Sequence, residues 1–266
     1  MSTLSPPVEN WAQSQEPENQ ISLNPDGRMP GLVRPTFYAR VKFLLEWVVA
    51  FVLFVVCLPL MLITMLLVKL TSRGPAIYSQ TRVGLNGTPF TIYKFRTMWT
   101  NCERFSGAKW STPGDSRITP IGQLLRKSHL DELPQLWNVL RGEMGLVGPR
   151  PERPEFVPQL AKAIPLYQNR LLLRPGVTGF AQVQLPPDTS LDSVRIKLAY
   201  DLHYLRNLSC WLDIRVVLAT AGKLFFLPFS LMGKMLGFAQ RETIAREYAD
   251  LLAVEVDGES VAMPSQ

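Results

Sequence analysis

The strongest pattern along the chain is one long apolar run, residues 47–68, in which no charged side chain occurs. About 20 apolar residues are enough for a helix to span a bilayer. Pro59 lies near the middle of the run, where proline frees a backbone carbonyl and kinks a helix. Basic residues flank both ends, so the positive-inside rule assigns no orientation. The run therefore predicts a membrane helix that either spans the bilayer, as length alone favours, or bends at Pro59 and returns to the same side.

A strand period follows the apolar run. Residues 76–80 predict a short strand, and residues 90–98 alternate with a period of two. Glycine and asparagine residues between the two segments predict a hairpin turn. The alternation places Lys94 and Arg96 on one face of the second strand. Two cations on one face suit a polyanion, although a solvated strand face explains them equally well.

Helical periodicity dominates the rest of the chain. Residues 118–127 predict a short helix with a threonine cap and a proline in its first turn. Two longer helices are predicted at residues 191–206 and 211–226, of which the second is the more apolar. Asp201 and Tyr204 lie three positions apart on one face of the first of these helices. They are secondary candidates for facing a functional site.

An acid pair, Asp131 and Glu132, carries the candidate chemistry. Pro134 fits the first turn of a following helix, so the pair lies just before a helix N-terminus, where the dipole favours anions. A capping box formed by Ser128 and Asp131 would start that helix earlier. It would also place Pro134 in the helix interior, so we favour the later start. Taken alone, such a pair is most often a solvated helix terminus.

Phosphate chemistry would give this pair a further role. A carboxylate can attack phosphorus to give an aspartyl phosphate, which divides one difficult transfer into two easier steps. Attack on an anionic phosphate requires positive charge nearby, from Arg, Lys or a divalent cation. Arg126 precedes the pair, and a basic turn follows it at residues 148–151. The sequence around the acid pair therefore supplies the required charge.

Composition narrows the functional classes. The chain has 266 residues, of which 47% are hydrophobic, and a net charge of +6. These values fit a soluble body that carries a membrane element and binds anionic partners. Three widely separated cysteines and two histidines predict free thiols and no zinc site. No groove-reading motif accompanies the basic residues, so no nucleic-acid partner is expected.

Changes in composition divide the chain into four predicted parts. They are a disordered leader (residues 1–37), a membrane helix (38–72), a globular domain (73–225), and an interfacial amphipathic segment with an acidic tail (226–266). The tail is expected to fray beyond residue 238.

Three motifs occur in one order: KFRTM at residues 94–98, RKSHLDELPQLWNVLRGEMGLVGPRP at 126–151 and RPGVTGFAQV at 174–183. Together they resemble the bacterial sugar transferase family, the monotopic phosphoglycosyl transferases, over residues 37–225. Larger members of that family carry several spanning helices and a further domain, so this chain resembles the small form. Phe180 stands where many relatives have tryptophan, and we expect this aromatic replacement to be tolerated.

The resemblance implies an α+β fold: a mostly helical, membrane-associated catalytic domain with a short β-hairpin and an N-terminal re-entrant membrane helix broken at Pro59. It implies transfer of a sugar-1-phosphate from a UDP-sugar to undecaprenyl phosphate, with release of UMP. This reaction would start the assembly of exopolysaccharide, O-antigen or capsule at the cytoplasmic face of the bacterial inner membrane. The identity of the sugar is not implied.

The resemblance also implies roles for individual residues. Asp131 would be the nucleophile that forms a covalent phosphosugar intermediate. Glu132 would help to hold Mg2+ or to position the acceptor phosphate, and the expected Mg2+ ligands are Asp131 and Glu132. The expected partners are the donor, the acceptor and membrane lipids, with a homodimer as a candidate assembly. Substrate phosphates are expected to bind the basic motif residues Lys94, Arg96, Arg126, Arg150 and Arg174.

Two rival interpretations differ in what they require. A catalytically inactive membrane scaffold of a polysaccharide assembly system would be favoured by a missing acid or arginine, but the acid pair and the basic motif residues are intact. A multi-spanning lipid phosphotransferase would require several apolar spans, whereas the sequence contains one such run.

Overall fold

The computed structural model describes residues 36–100, 114–188, 190–224 and 229–261, together with Leu32 and Cys102. The predicted leader lies almost entirely outside these residues. The described part is mostly helical with a short antiparallel hairpin, which confirms that part of the predicted fold. Its helices are α1 (Phe37–Thr71), α2 (Pro120–Lys127), α3 (Gln135–Leu140), α4 (Val157–Ala163), α5 (Leu191–Arg206), α6 (Cys210–Leu224), α7 (Phe229–Met235) and α8 (Arg241–Val261). Its strands are β1 (Ile77–Val83), β2 (Pro89–Phe95), β3 (Gly145–Val147) and β4 (Gly176–Thr178).

Strands β1 and β2 form the predicted hairpin. In its turn, Asn86 and Gly87 adopt positive φ angles of 53° and 81°, which these residue types tolerate best. Strand β2 ends at Phe95, which is earlier than predicted. The alternation that placed Arg96 beside Lys94 therefore does not extend to Arg96.

Helix α1 is continuous over 35 residues, with Pro59 in its interior. Thr36 caps it by accepting a hydrogen bond from the Ala39 amide at 3.1 Å. Among the described residues, α1 is the one helix that is long and apolar enough to cross a membrane, and 17% of its most apolar window is buried. The helix is not interrupted at Pro59, and its re-entrant path through a membrane stays a prediction.

One face of α1 packs on the globular domain. The first half of α1 contacts β3 and α6, and the second half contacts β2 and α2. Both halves therefore lie against the same body, while the opposite face exposes leucine, valine and isoleucine side chains. The buried residues of α1 are spaced so that they lie on one face of the helix. They are Lys42, Glu46, Ala50, Met61, Thr64 and Val68.

Buried charges attach the first half of α1 to the domain. Lys42 Nζ lies 2.6 Å from Glu46 Oε1 and also contacts Asp213 of α6. The hydroxyls of Tyr38 and Tyr204 both donate to the Asp213 carboxylate. Burying ions is costly unless they are paired and hydrogen-bonded, and this network meets that condition.

Glu46 extends the network to the backbone of β3. Its Oε1 accepts a hydrogen bond from the Val147 amide at 2.9 Å, and the Tyr204 hydroxyl donates to the Val147 carbonyl at 3.3 Å. Gly145 leaves room for the carboxylate, because a Cβ there would lie 2.6 Å from Glu46 Oε2. Side chains of α1 and α5 thus satisfy Val147, while β3 pairs in parallel with β4.

Helix α8 packs on α5. Ile244 is 1% exposed, and the Tyr248 hydroxyl donates to the Pro165 carbonyl at 3.2 Å. Glu247 Oε2 lies 2.7 Å from His203 Nδ1. The prediction that the chain frays beyond residue 238 is therefore wrong for this helix, because the start of α8 has an apolar face that α5 covers. The interfacial role predicted for residues 226–266 stays a prediction.

We expect Lys42→Met to destabilise the protein by about 3–5 kcal/mol, because Glu46 and Asp213 then stay buried without their cation. Thermal unfolding of the purified protein in detergent measures the effect. Lys69→Met is the matched control, since Lys69 is exposed in the last turn of the same helix. The control should change the unfolding midpoint little, and an equal fall in both variants would contradict the role of the buried network.

Candidate active site

Asp131 and Glu132 share one tight turn, Leu130–Glu132, between α2 and α3. His129 precedes it with a φ of 55°, a left-handed conformation, where α2 ends. Asp131 is 8% exposed. Its carboxylate makes no hydrogen bond or ion pair with the residues that the structure describes, whereas that of Glu132 is paired. The turn therefore holds one buried acid without a direct partner beside one that has partners.

The start of α3 follows the favoured prediction. Pro134 is its N-cap, and the helix proper begins at the next residue. Ser128 instead ends α2, where its hydroxyl donates back to the Leu124 carbonyl at 2.9 Å. The rival capping box at Ser128 is therefore wrong, and the acid pair lies ahead of α3.

Two cations from different elements share Glu132. Lys94 Nζ of β2 lies 2.7 Å from Glu132 Oε1, and Arg150 Nη2 lies 3.1 Å from the same oxygen. Arg126, in the last turn of α2, is close enough for its charge to act on Asp131. The structure thus brings three of the five predicted phosphate-binding residues around the acid pair.

The surroundings shift the pKa values of the two carboxyls in opposite directions. Burial, and then the charge of Glu132, raise the pKa of Asp131 to about 6, although Lys94, Arg150 and Arg126 oppose the rise. Burial alone would raise the pKa of Glu132 too, but Lys94 and Arg150 outweigh it and hold that pKa well below its usual range. Glu132 is therefore the fixed anion that balances the cations, and Asp131 is the more basic acid.

Residues 148–152 form the Arg150 loop, which presents the Arg150 side chain to Glu132. Prolines on both sides of Arg150 restrict its backbone. Backbone groups or arginine side chains of other segments hold each carbonyl from Pro149 to Glu152. The donors, at 2.9–3.0 Å, are the Gly176 amide to Pro149, Arg170 Nη2 to Arg150, Arg82 Nη1 to Pro151 and the Val83 amide to Glu152.

Two predicted phosphate ligands lie elsewhere. Arg96 donates from Nη2 to the carbonyl and hydroxyl of Ser72, at 2.8 and 2.7 Å, and so ties the C-terminal end of α1 to the segment after β2. Arg174 donates from Nε to the Gly142 carbonyl at 3.0 Å, and its guanidinium lies 4.2 Å from the ring centroid of Phe43. The structure does not pair either arginine with the acid pair, so a phosphate-binding role for them stays a prediction.

The secondary candidates on α5 point into the core. Asp201 is 2% exposed and lies 2.8 Å from Arg170, and Tyr204 bonds to Asp213 and Val147. Their predicted placement facing the acid pair is wrong, because the face of α5 that they share is the buried one. Sequence reasoning missed Arg170, whose one signal was a cation within an apolar stretch.

A divalent cation could use the acid pair together with a substrate. Mg2+ typically takes oxygens from one or two carboxylates and from substrate phosphates. Asp131 fits this requirement, because its carboxylate is not tied to a described cation, and Glu132 adds a second oxygen beside it. In the described part of the chain, no group of three or more His, Cys, Asp or Glu side chains could hold a metal ion.

We expect Asp131→Asn to stabilise the protein at pH 7.5. A carboxyl whose folded pKa is raised from 3.8 to about 6 costs stability once it ionises, so stability falls as the pH rises through this window. The neutral amide avoids a cost of about 3 kcal/mol. Unfolding midpoints of both proteins in detergent at pH 4 and pH 7.5, without divalent cations, measure the effect. A gain of equal size at both pH values would contradict the assigned pKa.

Comparison with known proteins adds independent information. A model of the bacterial sugar transferase family matches residues 37–227. The chain is 42% identical over 195 residues to a UDP-N-acetylgalactosamine-undecaprenyl-phosphate N-acetylgalactosaminephosphotransferase of Aeromonas hydrophila, covering 73% of this chain and 46% of that protein. It is 38% identical over 196 residues to a UDP-glucose:undecaprenyl-phosphate glucose-1-phosphate transferase of Xanthomonas campestris pv. campestris, covering 73% and 40%.

A third relative is matched over more of its length. It is a UDP-glucose:undecaprenyl-phosphate glucose-1-phosphate transferase of Caulobacter vibrioides, 41% identical over 206 residues that cover 77% of this chain and 75% of that protein. By contrast, the chain spans less than half the length of the Aeromonas and Xanthomonas relatives. The family match includes the hairpin, the acid pair and the Arg150 loop. The chain belongs to the bacterial sugar transferase family.

Proposed function

We propose that this protein is an enzyme that transfers a sugar-1-phosphate from a UDP-sugar to undecaprenyl phosphate and releases UMP. The observation that carries the proposal is the buried Asp131, which has no direct partner among the described residues and is surrounded by Lys94, Arg126 and Arg150. This arrangement suits a nucleophile that attacks an anionic phosphate. Relatives named for this transfer, with either N-acetylgalactosamine or glucose, support the reaction class.

The first step would be attack by Asp131 on the phosphorus bonded to the sugar. A bond forms between Asp131 Oδ and that phosphorus, and the bond to the bridging oxygen of the diphosphate breaks. UMP leaves with the electron pair. A carboxyl with a pKa of about 6 is mostly ionised at neutral pH and is more basic than an ordinary aspartate. The aspartyl phosphosugar stores the sugar-phosphate while UMP departs.

The second step would return Asp131 to its starting state. A phosphate oxygen of undecaprenyl phosphate attacks the same phosphorus, and the bond to Asp131 breaks to give the sugar diphosphate lipid and the free carboxylate. Lys94, Arg126 and Arg150 neutralise the charge of the phosphates in both steps. Glu132 holds Lys94 and Arg150 in place through their ion pairs. Mg2+, held by Asp131, Glu132 and the donor diphosphate, would supply additional positive charge.

The acceptor lipid requires a site at a membrane surface, and the outer face of α1 suits this place. That face exposes large apolar side chains along both halves of the helix. Helix α6 exposes Trp211, Ile214, Val217 and Leu218 next to the charged attachment of α1. Because both halves of α1 contact one body, we propose that α1 enters and leaves the inner membrane at its cytoplasmic face, where insertion into the bilayer would bend the helix at Pro59.

An active site at the cytoplasmic face of the membrane suggests a biological role. A polysaccharide repeat unit that is built on undecaprenyl phosphate begins with transfer of a first sugar-phosphate. We propose that this protein starts the assembly of exopolysaccharide, O-antigen or capsule. A relative named as an exopolysaccharide production protein, from Rhizobium leguminosarum bv. phaseoli, supports this role; it is 40% identical to this chain over 167 residues.

We expect Asp131→Asn to reduce UMP release by roughly 10⁴-fold or more, because the nucleophile is lost while the surrounding cations remain. The assay uses purified protein in lipid nanodiscs with undecaprenyl phosphate, Mg2+ and a panel of UDP-sugars that includes UDP-glucose, UDP-galactose and UDP-N-acetylgalactosamine. Donor labelled in the sugar should also leave a protein-bound label in the absence of acceptor, and Asp131→Asn should abolish it.

Asp192→Asn is the matched control, because Asp192 is an acid in the first turn of α5 whose side chain is 84% exposed. It should retain both UMP release and labelling. Release that persists in Asp131→Asn would overturn the assignment of the nucleophile. Absence of release with every donor, from folded and reconstituted wild-type protein, would instead favour the scaffold interpretation.

A further inference from the structure

Arg170 connects the core to the Arg150 loop. It lies in a short helical turn, Tyr167–Leu172, and is 5% exposed. Its Nη2 donates to the Arg150 carbonyl at 2.9 Å and lies 2.8 Å from Asp201 Oδ2 of α5. One nitrogen therefore joins a buried carboxylate to the backbone of the residue that pairs with Glu132.

The guanidinium of Arg170 is held from more than one side. Its Nη1 donates to the Tyr167 hydroxyl at 3.1 Å, and the Tyr167 ring centroid lies 5.4 Å from its Cζ. Asp201 is 2% exposed and supplies the countercharge. Arg170 is ion-paired with Asp201 and donates to Tyr167 and to the Arg150 carbonyl, which limits the cost of burying its charge. Asp201 Oδ2 contributes its charge without an aligned hydrogen bond among the described residues.

Close packing does not fill all the space beside the Arg150 loop. A small cavity lies behind the loop, lined in part by Pro149, Arg150, Tyr167 and Arg170. Space behind a backbone allows it to shift when a restraining bond is lost. The Arg150 side chain is 40% exposed, so packing by neighbouring side chains does not by itself hold it against Glu132. The position of its backbone therefore decides where the guanidinium can reach.

We infer that Arg170 and Asp201 form a positioning pair, which holds the Arg150 carbonyl and thereby keeps the Arg150 guanidinium at the acid pair. The inference rests on the proposed function, in which Arg150 neutralises substrate phosphates. Neither member of the positioning pair needs to touch a substrate. The inference also gives Asp201 an indirect role in the site, whereas the sequence predicted that Asp201 would face the site itself.

The test removes the positioning pair without leaving a lone buried charge. In Arg170→Met combined with Asp201→Leu, two apolar side chains replace the ions, an exchange that is often neutral for stability. We expect an unfolding midpoint close to that of the wild type and a fall in kcat/KM for UMP release of about tenfold to hundredfold, because a small misplacement of a catalytic group has effects of this size. The separate changes in kcat and in KM should be in the same proportion as those measured for Arg150→Ala.

A double-mutant cycle separates positioning from general damage. In an Arg150→Ala background, the Met/Leu replacement should change kcat/KM by less than about twofold, because no guanidinium is left to position. Losses that simply add would overturn the inference, as would wild-type activity in the Met/Leu variant. Should the Met/Leu protein fail to fold, Arg170→Gln with Asp201→Asn, a neutral and polar replacement, enters the same cycle under the same criteria.

The matched control is a second buried pair on α5. Lys197 Nζ lies 2.7 Å from Asp188, and their side chains are 10% and 12% exposed. Lys197→Met with Asp188→Leu removes charges of comparable burial that make no direct contact with the Arg150 loop, and whose opposite effects on Asp201 offset each other in part. This control should retain activity within about threefold, which is small beside the expected loss. A loss equal to that of the Arg170 and Asp201 variant would overturn the inference.

A second readout does not depend on catalysis. Phenylglyoxal modifies accessible arginines, and peptide mass spectrometry measures the rate at Arg150. In the Met/Leu variant, Arg150 should react several times faster than in the wild type, because its guanidinium is released from Glu132. An unchanged rate would overturn the inference. If wild-type protein releases no UMP from any donor, the proposed function fails, and the phenylglyoxal rate still decides whether the pair positions Arg150.

Discussion

The site depends on one shared carboxylate oxygen. Glu132 Oε1 accepts from Lys94 of β2 and from Arg150, so the hairpin, the turn Leu130–Glu132 and the Arg150 loop meet at a single atom. Charge-assisted bonds of this kind are shorter and stronger than neutral ones. Because Glu132 is engaged with both cations, Asp131 is left as a buried acid without a direct partner in the described structure. The charge arrangement that the proposed chemistry needs is therefore assembled before a substrate arrives.

Interactions between residues close in sequence were sufficient to predict the elements around the site. The hairpin turn, the Thr119 cap of α2 and the start of α3 at Pro134 follow from interactions within a few residues, and all three were predicted. The contacts of Arg96, Arg174 and Asp201 were not predicted. The partners of these residues lie far away in sequence, and residue type alone does not distinguish a phosphate ligand from a cation that ties two segments together.

The Arg150 loop illustrates a second limit of sequence reasoning. The motif predicted a basic turn, and the flanking prolines predicted restricted backbone angles. The sequence did not reveal that every carbonyl from Pro149 to Glu152 would have a donor from another part of the chain. A periodic pattern on α5 likewise identified a face shared by Asp201 and Tyr204, but only the packed structure shows that this face is covered. Preorganised groups of this kind need no rearrangement during reaction.

The packing of α1 has a consequence for how the protein responds to its lipid environment. A membrane helix that is attached at one end adapts to a thicker or thinner bilayer by tilting. In α1 the Lys42 network holds one half and the packing of Met61 and Val68 holds the other, so the helix does not tilt independently of the domain. Glu46 joins the first half of α1 to β3, which leads into the Arg150 loop. A force that lipids exert on the proposed membrane helix would therefore reach the active site through contacts that are already formed.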